Sequence, residues 1–524
     1  MKKVLSLLLC LCLMAGLFAG CASENTPYVP TGDALLPEDA DLDALESEKE
    51  TAPQELSLVY YADRSMNPLS CTDFTNRVLF SLIYQGLFSV SSSNEAVPIL
   101  CKEFYTTSDQ RSYTVFLEDA VFSDGSRVTL DDVLATYEAA QKSAYYSGRF
   151  GHVRSIALSS DGGITFNLDT PMENFLLLLD VPILKASQLE DENPLGTGPY
   201  ILDSSLGGAY LRRNTAWWCS SPDLVVTADS VLLVPAESPT HIRDQFEFAD
   251  VGLVCADPCS DGYADYRCDY ELWDCENGIM MYLGCNVGYE QKGKKSTMYF
   301  KNDNVRTALT YAIDRQALVD ENYRSYAKPT ALAVSPGSPY YSPGLEAKYS
   351  YDPVRLINAI NNAGTPKDPI RLLVNRDDSL RLRTARRIAE MLQECGLAVE
   401  LVERSTNDFV QYVKAGNFDL YLGQTKLSAN MDLSAFYRPW GNLTWGNTSN
   451  ANLYELCQKA LENEGNYYDL HKAVAEDGKI IPIMFLGYAI YATRGLLTDL
   501  QPSRDNVFFY TLGRTDSDAE IPAG

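Results

Sequence analysis

The chain has 524 residues, which is too long for one ordinary hydrophobic core, so two or three domains are expected. Its formal net charge of −27 repels nucleic acids and anionic lipid headgroups, so the sequence predicts neither as a direct partner. Only three histidines are present, His152, His241 and His471, and their wide spacing favours ordinary surface or core positions over a metal site.

The N-terminus has the pattern of an export signal. Two lysines precede an apolar stretch over residues 4–16, which is shorter than the ~20 residues that a membrane span needs. Residues 17–21 (Leu-Phe-Ala-Gly-Cys) resemble a bacterial lipobox, whose cysteine becomes a lipidated N-terminus. We expect residues 1–20 to be a signal peptide and Cys21 to carry the lipid. The alternative is an ordinary cleaved signal with an incidental cysteine.

Residues 21–55 are predicted to form a disordered acidic tether. From residue 22 onward the stretch holds ten Asp or Glu residues, one Lys and few large apolar side chains. Such a composition buries too little surface to fold, and its charges repel one another. A lipid anchor with this tether would hold a folded region close to a membrane; an unrelated disordered tail is the alternative.

The folded region is predicted to begin with strands and a short helix. Leu56–Tyr61 and Ser112–Leu117 alternate apolar and polar residues and are therefore predicted strands. A turn is expected at residues 66–69, and a helix over Val78–Tyr84.

A second helix is predicted to begin after Thr129. Thr129 and Asp132 have the spacing of a capping box, in which each side chain binds the other residue's backbone amide. Asp131 and Asp132 form a carboxylate pair, but helix capping explains them better than catalysis does.

The middle of the chain contains a glycine loop and a tryptophan pair. Residues 194–200 (Pro-Leu-Gly-Thr-Gly-Pro-Tyr) have the glycines of a phosphate cradle, but no basic residue or helix start follows, so a structural loop is predicted. Trp217 and Trp218 are assigned to the core. Residues 288–296 nearly spell a nucleotide-binding P-loop, which we reject because no strand-to-helix context is evident.

The folded region contains ten cysteines besides Cys21. Five of them lie within 31 residues, from Cys255 to Cys285. Disulfides are expected in an exported chain, although the pairing cannot be deduced from the sequence. Free thiols in a reducing habitat are an alternative. A zinc site is another, although the spacings lack the usual pairs of closely spaced cysteines.

An apolar strand over Ile279–Leu283 leads to a predicted amphipathic helix over Asn302–Val319. Asp303 or Asn304 is expected to cap this helix. Its apolar residues recur at helical spacing and give one stripe that docks on a core. The residues of the stripe are Val305, Ala308, Leu309, Ala312, Ile313, Leu318 and Val319.

A strand-helix-strand unit follows in the second half of the chain. A helix is predicted from Pro353, with Asp352 as its cap and Gly364 as its end. The unit itself comprises a strand over residues 370–374, a helix over residues 380–395 and a strand over residues 397–402. Ligands of such units bind at the loop after the first strand. A short helix over residues 409–414 and a buried strand over residues 480–485 complete the prediction.

Several passages resemble, in order, the family 5 extracellular solute-binding proteins, which are the peptide and nickel receptors of ABC importers. The most specific are residues 113–133 and residues 306–315 (Arg-Thr-Ala-Leu-Thr-Tyr-Ala-Ile-Asp-Arg). The others are residues 67–69, 85–88, 194–200, 211–218, 351–364, 416–423 and 480–485. The resemblance covers residues 56–510, nearly the whole mature chain.

The resemblance implies an α/β fold with two lobes, a hinge and a central cleft, in the type II, large peptide-receptor variant of the periplasmic-binding-protein architecture. It places the first lobe at residues 56–280 and the second at residues 281–480. Residues 481–524 then return to the first lobe and end in a tail. Two crossings between lobes would form the hinge.

The resemblance also implies where a ligand binds. Dipeptide receptors have an arginine after the first strand of this unit, which holds the peptide carboxylate; Arg376 takes that place here, although a surface arginine beside two aspartates is the alternative. Asp432 is the first acid after Gly423 and could bind a ligand amine, or it could be a structural residue. Met66 and Asn67 are placed at the cleft mouth, and Trp445 in a loop lining it.

One departure from the family pattern bears on the ligand. Gln424 stands where the family has Trp, and residues 427–430 (Leu-Ser-Ala-Asn) lack the acid that binds a peptide's free amine in the relatives. Peptide binding through a free N-terminus is therefore a question that the resemblance leaves open.

The resemblance implies a lipid-anchored receptor that captures short peptides at the outer face of the cell membrane and delivers them to an ABC permease. A monomer without cofactor, metal or catalytic residues is expected. Nickel chelates, sugars and other small solutes are alternatives within this role. A surface sensor is a second class, and a hydrolase with paired carboxylates is a third, although no motif pairs a nucleophile with a base.

Overall fold

The computed structural model describes residues 56–205, 207–219, 222–256, 266–288, 297–323 and 326–512. The predicted signal peptide, the lipidation site Cys21 and the acidic tether lie outside these ranges, as do Cys259 and residues 289–296 of the rejected P-loop.

The strands of the described residues alternate with helices along the chain. They are β1 (Ser57–Tyr60), β2 (Phe88–Val90), β3 (Ala96–Pro98), β4 (Cys101–Thr106), β5 (Ser112–Leu117), β6 (Val153–Leu158), β7 (Ile164–Leu168), β8 (Tyr200–Asp203), β9 (Ala209–Arg213), β10 (Ser230–Pro235), β11 (Leu253–Ala256), β12 (Tyr270–Cys285), β13 (Ala327–Pro329), β14 (Ile370–Asn375), β15 (Val399–Arg404), β16 (Leu420–Lys426) and β17 (Ile480–Thr493).

The α-helices are short in the first half of the chain and longer in the second. They are α1 (Phe74–Arg77), α2 (Phe80–Ile83), α3 (Leu130–Ala140), α4 (Pro239–Glu247), α5 (Asp303–Ala308), α6 (Arg315–Asn322), α7 (Pro343–Glu346), α8 (Pro353–Ala363), α9 (Ser379–Glu394), α10 (Thr406–Ala415), α11 (Ser434–Tyr437), α12 (Ala451–Glu462) and α13 (Tyr467–Asp477). No helix of the described residues has both the length and the apolar character needed to cross a membrane.

Two long antiparallel strands, β12 and β17, run through the middle of one large mixed sheet. The strand order is β15-β14-β16-β12-β17-β11-β1-β10-β9-β8, and β13 also pairs with β17. The C-terminal half of β12 pairs with β16, and the parallel strands β14 and β15 continue the sheet on that side. On its other side β12 pairs with β17, which in turn pairs with β11, and β1 follows. We call the half around β1 the first lobe and the half around β14 the second lobe.

Each lobe has its own hydrophobic core. In the second lobe, alternate residues of one strand enter different clusters: Met281 and Leu283 pack on one face of the sheet, and Met280 and Tyr282 pack on the other. This is the pattern of a sheet covered by helices on both faces. The first-lobe core extends from Leu58 into a separate four-stranded sheet, β4-β5-β7-β6.

Several predicted elements are confirmed. The strand over Ser112–Leu117 has the predicted bounds, and Thr129 caps α3 in a capping box with Asp132. The strand-helix-strand unit is formed by β14, α9 and β15, and the two strands pair in parallel. The helix predicted over Val78–Tyr84 differs, because α1 and α2 are two short helices separated at residues 78–79.

The predicted single helix over Asn302–Val319 is wrong. The segment forms α5, a 3₁₀ turn and α6, with Ile313 in an extended conformation and Asp314 capping α6. The buried Arg315 explains the break, because its guanidinium donates to the carbonyl oxygens of Thr310 (2.9 Å) and Ile313 (3.4 Å) that the break exposes.

For this segment the predicted cap is wrong, whereas the predicted burial of the apolar stripe is confirmed. The cap is Asn302 rather than Asp303 or Asn304, since its side chain accepts from the amides of Asn304 and Val305. The burial of the predicted stripe is confirmed, because all seven of its side chains are buried.

The predicted disulfides are wrong for eight described cysteines, which carry free thiols. They are Cys71, Cys219, Cys255, Cys268, Cys275, Cys285, Cys395 and Cys457. Cys101 is buried, and its sulfur contacts the carbonyl oxygen of Glu103. Burial raises the pKa of Cys285 to about 12, so this thiol stays protonated at neutral pH.

Candidate functional site

A cavity of about 90 Å³ is lined by residues of the first lobe and of the segment after β17, and several of these residues are charged. Arg77 comes from the end of α1, Arg149 from a 3₁₀ turn over Ser147–Phe150, and Arg504 and Asp505 from the segment after β17. Asp180, which precedes the buried residue Val181, completes the charged lining. Buried charges are costly unless they are paired, so such a group calls for an explanation.

Arg77 is held rigidly but forms no ion pair with a carboxylate of the described residues. Its guanidinium donates to the carbonyl oxygens of Pro68 (3.2 Å) and Cys71 (3.0 Å) and to the hydroxyl of Tyr146 (2.8 Å). It also stacks on the ring of Tyr145, 3.4 Å from the centroid. Burial raises the pKa of Tyr146 to about 12, so this hydroxyl stays neutral, and the carboxylate that interacts with Arg77 is the more distant Asp505.

The second lobe contributes Lys426, the last residue of β16. Its ammonium donates to the hydroxyl of Tyr145 (2.9 Å) and forms an ion pair with Asp505. Beside it, Arg504 donates to the carbonyl oxygen of Leu427. Burial alone would raise the pKa of Asp505, but Lys426 and Arg504 hold it well below its usual range, so Asp505 is charged at neutral pH.

The group has an excess of positive charge. We call Arg77, Arg149, Lys426 and Arg504 the cationic cluster. Two carboxylates face it: Asp180 pairs with Arg149, and Asp505 pairs with Lys426. Arg504 also interacts with the carboxylate of Glu276, so four cationic side chains stand against three carboxylates and one positive charge is in excess, in a chain whose net charge is −27. An anionic group would be stabilised here by charge and by the forked donors of the guanidinium groups.

A second polar contact joins the two lobes at His152. The Nδ1 atom of His152 lies 2.9 Å from a carboxylate oxygen of Asp169, and its Nε2 atom lies 3.2 Å from Ser434 Oγ and 3.5 Å from Asp432. Burial alone would lower the pKa of His152, but the carboxylates of Asp432 and Asp169 outweigh burial and raise it to about 8. His152 is therefore largely protonated at pH 7.

The structure places Met66 and Asn67 near this cavity but buries both side chains. The Asn67 amide donates to the carbonyl oxygens of Leu189 (2.9 Å) and Asp191 (2.8 Å), and its oxygen accepts from the amide of Leu69. The Met66 carbonyl oxygen accepts from Tyr84, whose ring lines the cavity. The ligand roles of Met66 and Asn67 stay predictions.

The structure does not bring Arg376, Asp432 and Trp445 to the lining of this cavity. The Arg376 side chain, at the end of β14, is 59% exposed and lies 3.9 Å from Asp377. Asp432 contacts His152, and Trp445 is half-buried against the second-lobe core. Their ligand roles also stay predictions.

Sequence reasoning missed the cationic cluster. Arg77 lies just before the helix predicted over Val78–Tyr84, and Lys426 lies just before residues 427–430, where the relatives have an acid. Arg149 follows two adjacent tyrosines, Tyr145 and Tyr146, which is a weak signal for a polar, aromatic-lined site. These residues are up to 427 positions apart, so no local pattern connects them.

The described residues give no structural support for a metal site. They contain no group of three or more His, Cys, Asp or Glu side chains that could hold a metal ion. A zinc site in the cysteine-rich stretch would need Cys259, which lies outside those residues.

Comparisons with known proteins identify the family. Residues 95–448 match the model of the bacterial extracellular solute-binding proteins, family 5 Middle. The glutathione-binding protein GsiB of Escherichia coli O1:K1 is 24% identical over 321 residues, which is 58% of this chain and 60% of GsiB. The chain thus matches about three fifths of the length of this curated relative.

Two solved structures share the two-lobed fold, which confirms the predicted fold class. The ABC transporter substrate binding protein CtaP from Listeria monocytogenes has a TM-score of 0.69 at 18% identity, covering 86% of this chain and 97% of CtaP. The oligopeptide-binding protein AppA from Bacillus subtilis, solved with a nonapeptide, has a TM-score of 0.63 at 20% identity, covering 88% of this chain and all of AppA. This chain belongs to the family 5 bacterial extracellular solute-binding proteins.

Proposed function

We propose that this protein is the substrate-binding lipoprotein of an ABC importer and captures short peptides for delivery to a membrane permease. The family supports the role, and the names of GsiB and AppA support a peptide-like ligand. The observation that carries the proposal is the cationic cluster at the junction of the lobes. Its excess positive charge suits the carboxylate that every unmodified peptide carries at neutral pH.

The electrostatics favour an anionic ligand group over water. Arg77 is buried and stacked on Tyr145, so its guanidinium is already oriented and loses little freedom when it binds a carboxylate. A buried positive charge is costly unless it is paired, and a bound carboxylate would lower that cost.

Ligand entry requires the lobes to separate. The cavity of about 90 Å³ is smaller than the ~300–1,000 Å³ of typical ligand pockets. Lys426 of the second lobe contacts Tyr145 and the cavity-lining residue Asp505 of the first. We propose that β12 and β17, which connect the lobes, bend when the cavity opens, as hinges do in closing around ligands. The lobe boundaries at residues 280 and 480 belong to this proposal.

Native mass spectrometry of the full chain in detergent tests the ligand class. Peptides that are released on denaturation would support the proposal. A single non-peptide solute would keep the receptor role and replace the ligand. An empty protein whose thermal stability is unchanged by any peptide pool would count against peptide capture, because a ligand at 100 times its Kd adds about 2.7 kcal/mol.

Two arginine variants decide which residue holds the carboxylate. Arg77→Gln is expected to weaken peptide binding about 10-fold or more, because it removes a charge-assisted contact. If the cationic cluster binds the carboxylate, Arg376→Gln should leave peptide binding unchanged, and it then serves as the matched control. Weakening by Arg376→Gln with unchanged binding by Arg77→Gln would instead support the role that the family resemblance gives to Arg376. Asp432→Ala is expected to weaken binding in either case, because it removes a contact between the lobes.

Cys21 is proposed to carry the lipid that holds the protein at the outer face of the cell membrane. The lipobox-like residues 17–21 support this assignment, as does the family, whose members are extracellular. Metabolic labelling with a fatty-acid probe is expected to label the full-length protein but not Cys21→Ser. An unlabelled wild-type protein would contradict the anchor.

Anionic chelates of nickel are a second candidate ligand, which the same cluster favours. The chelator would have to supply the metal's ligands, because the described residues hold no metal-binding group. Sugars lack the charge that the cluster would bind. A sensor role would be indicated if deletion of the gene left solute uptake unchanged.

A further inference from the structure

The two lobes contact each other in a region apart from the strands that connect them and from the cationic cluster. First-lobe residues 151–174 and second-lobe residues 430–467 exchange hydrogen bonds there, and we call this region of contact the clasp. The amide of Glu173 donates to the carbonyl oxygen of Leu461 (2.9 Å), and the amide of Glu464 donates to the carboxylate of Glu173 (3.0 Å). The clasp therefore joins the lobes independently of β12 and β17.

Polar contacts hold the clasp, with an apolar contribution from Leu461, which packs on the first-lobe core. Asn174 donates to the hydroxyl of Tyr340 in the second lobe (2.9 Å), and Gln458 donates to the hydroxyl of Thr170 (3.2 Å). Water replaces such hydrogen bonds when the surfaces separate, so each of them adds little net stability. The clasp is thus suited to open and close as the lobes move.

His152 lies in the clasp between one carboxylate of each lobe. Asp169 of the first lobe is 2.9 Å from Nδ1, and Asp432 of the second lobe is 3.5 Å from Nε2, beside Ser434 Oγ at 3.2 Å. A protonated imidazole donates from both of its nitrogens, whereas a neutral one donates from only one. Protonated His152 therefore attracts an acceptor in each lobe at once. After deprotonation, one of the two carboxylates faces a ring nitrogen that carries no hydrogen.

The other charged and titratable groups that face His152 keep their charge between pH 6 and pH 9. Burial raises the pKa of the Tyr454 hydroxyl and of the Cys457 thiol, so both stay neutral. Burial alone would raise the pKa of Asp432, but the contact with His152 holds it below its usual range. Arg438 contacts the backbone beside His152 and stays positively charged. The charge of the clasp in this range therefore changes at His152, around its pKa of about 8.

We propose that protonation of His152 controls the clasp: the protonated ring holds the lobes together, and its deprotonation favours their separation. The inference goes beyond the capture of a ligand and rests on the proposed bending of β12 and β17, not on the identity of the ligand. The members of the family are extracellular, so the clasp is exposed to the pH of the surroundings. The receptor is then closed more firmly at neutral and mildly acidic pH than at alkaline pH.

Hydrogen exchange of the full chain, followed by mass spectrometry, measures how often the clasp opens. The amides of Glu173 and Glu464 are the probes, because each donates a hydrogen bond across the clasp and exchanges when the clasp opens. Their protection factors, corrected for the intrinsic pH dependence of exchange, are expected to fall about 10-fold from pH 6 to pH 9. The reason is that the open state, which retains Asp169 but not Asp432, holds the proton of His152 about 10-fold less tightly.

Amides that pair β5 with β7 inside the first lobe are the internal control, and their protection is expected to stay constant with pH. His152→Gln should remove the pH dependence at the two probe amides. His241→Gln changes a histidine at a partly exposed site and should keep it. Asp432→Asn should lower the protection at pH 6 and reduce the pH dependence to less than about 3-fold, because it removes the carboxylate that the ring attracts across the clasp.

Constant protection of the two probe amides from pH 6 to pH 9 in the wild-type protein would overturn the proposal. The wild-type pH dependence persisting in Asp432→Asn would overturn it as well, because His152 would then act within its own lobe. These two measurements decide the question even if His152→Gln does not fold. Neither involves a ligand, so the clasp and the capture of peptides stand or fall separately.

Discussion

Two of the three histidines are buried, in environments with opposite effects on their charge. His471, on α13, stacks on Tyr467, with ring centroids 5.7 Å apart, and neither of its ring nitrogens has a hydrogen-bond partner among the described residues. Burial lowers its pKa to about 3, so the ring stays neutral in the folded protein. An unsatisfied buried polar group costs about 1–3 kcal/mol, so His471 is a weak point in the second-lobe core.

His471→Leu is expected to raise the free energy of unfolding at pH 7 by about 1–2 kcal/mol, because leucine fills a similar volume without polar atoms. The gain should be larger in acid. Below pH 6.5 the unfolded state of the wild-type protein binds a proton at His471 that the folded state does not, which costs about 1.4 kcal/mol per pH unit down to pH 3.

Urea unfolding of the wild-type protein and His471→Leu at pH 7 and pH 5 measures both effects. The difference between the proteins should grow by about 2 kcal/mol at the lower pH. His241→Leu, at a partly exposed site, serves as a control and should change stability by less than about 0.5 kcal/mol. A less stable His471→Leu protein would indicate that its ring nitrogens are hydrogen-bonded after all.

At the scale of elements, the loop over residues 194–200 shows why the glycine pair serves structure rather than phosphate binding. An added Cβ atom at Gly196 would lie 1.9 Å from the carbonyl oxygen of Ile83 at the end of α2, and one at Gly198 would lie 2.7 Å from it. The loop packs its backbone directly on α2, which sits beside the cavity-lining Tyr84 and Gln85. The glycines therefore support the wall of the candidate site.

Gly196→Ala is expected to lower the free energy of unfolding by about 3 kcal/mol, because neither the loop nor the backbone of α2 can move away without losing contacts. Gly344→Ala is the matched control, since an added Cβ atom in α7 would meet nothing within 4 Å. It should be neutral or slightly stabilising, because alanine favours helix. Thermal unfolding followed by circular dichroism gives both values, and equal stability of the two variants would contradict the close packing.

The segment from α5 to α6 shows that helical periodicity in a sequence predicts which residues are buried but not whether the helix is continuous. Every residue of the predicted stripe is buried, yet the helix is interrupted at Ile313. The stripe survives because the 3₁₀ turn and α6 follow the same core surface. The break depends on Arg315, which donates to the carbonyl oxygen of Pro482 in β17 (2.9 Å), a contact that no local pattern contains.

At the scale of the whole molecule, His152 of the first lobe contacts Asp169 in its own lobe and Asp432 in the second lobe, so it connects the two. Its pKa is raised to about 8 in the folded protein, against about 6.5 in the unfolded chain. The folded state therefore holds the proton more tightly. The stabilisation is fully present below pH 6.5 and is lost as the pH rises through 8, and it amounts to about 2 kcal/mol.

The stability advantage of the wild-type protein over His152→Gln is therefore expected to shrink by about 2 kcal/mol between pH 6 and pH 9. Urea unfolding at the two pH values measures it. Combining Asp169→Asn with Asp432→Asn should reverse the sign of this pH dependence, because burial then lowers the pKa of His152 in the folded protein below 6.5. An advantage that stays constant over this range would show that His152 is not charged in the folded protein.

Through motifs that resemble those of the family, such as residues 113–133 and 306–315, the sequence by itself implied the family and the two-lobed α/β fold. It also determined most of the elements. These follow from local patterns: the alternation of Ser112–Leu117, the capping pair Thr129 and Asp132, and the periodic stripe from Val305 to Val319. Each is a property of neighbouring residues, which is why it can be read along the chain.

Only the tertiary structure decided which charged side chains share the candidate site. Arg77, Arg149, Lys426 and Arg504 meet because β12 and β17 carry the chain between the lobes and because the segment after β17 returns beside α1 and α2. In the sequence each is an ordinary basic residue among 43. Burial and the shortage of partner carboxylates make them a site, and both arise only when distant segments pack together.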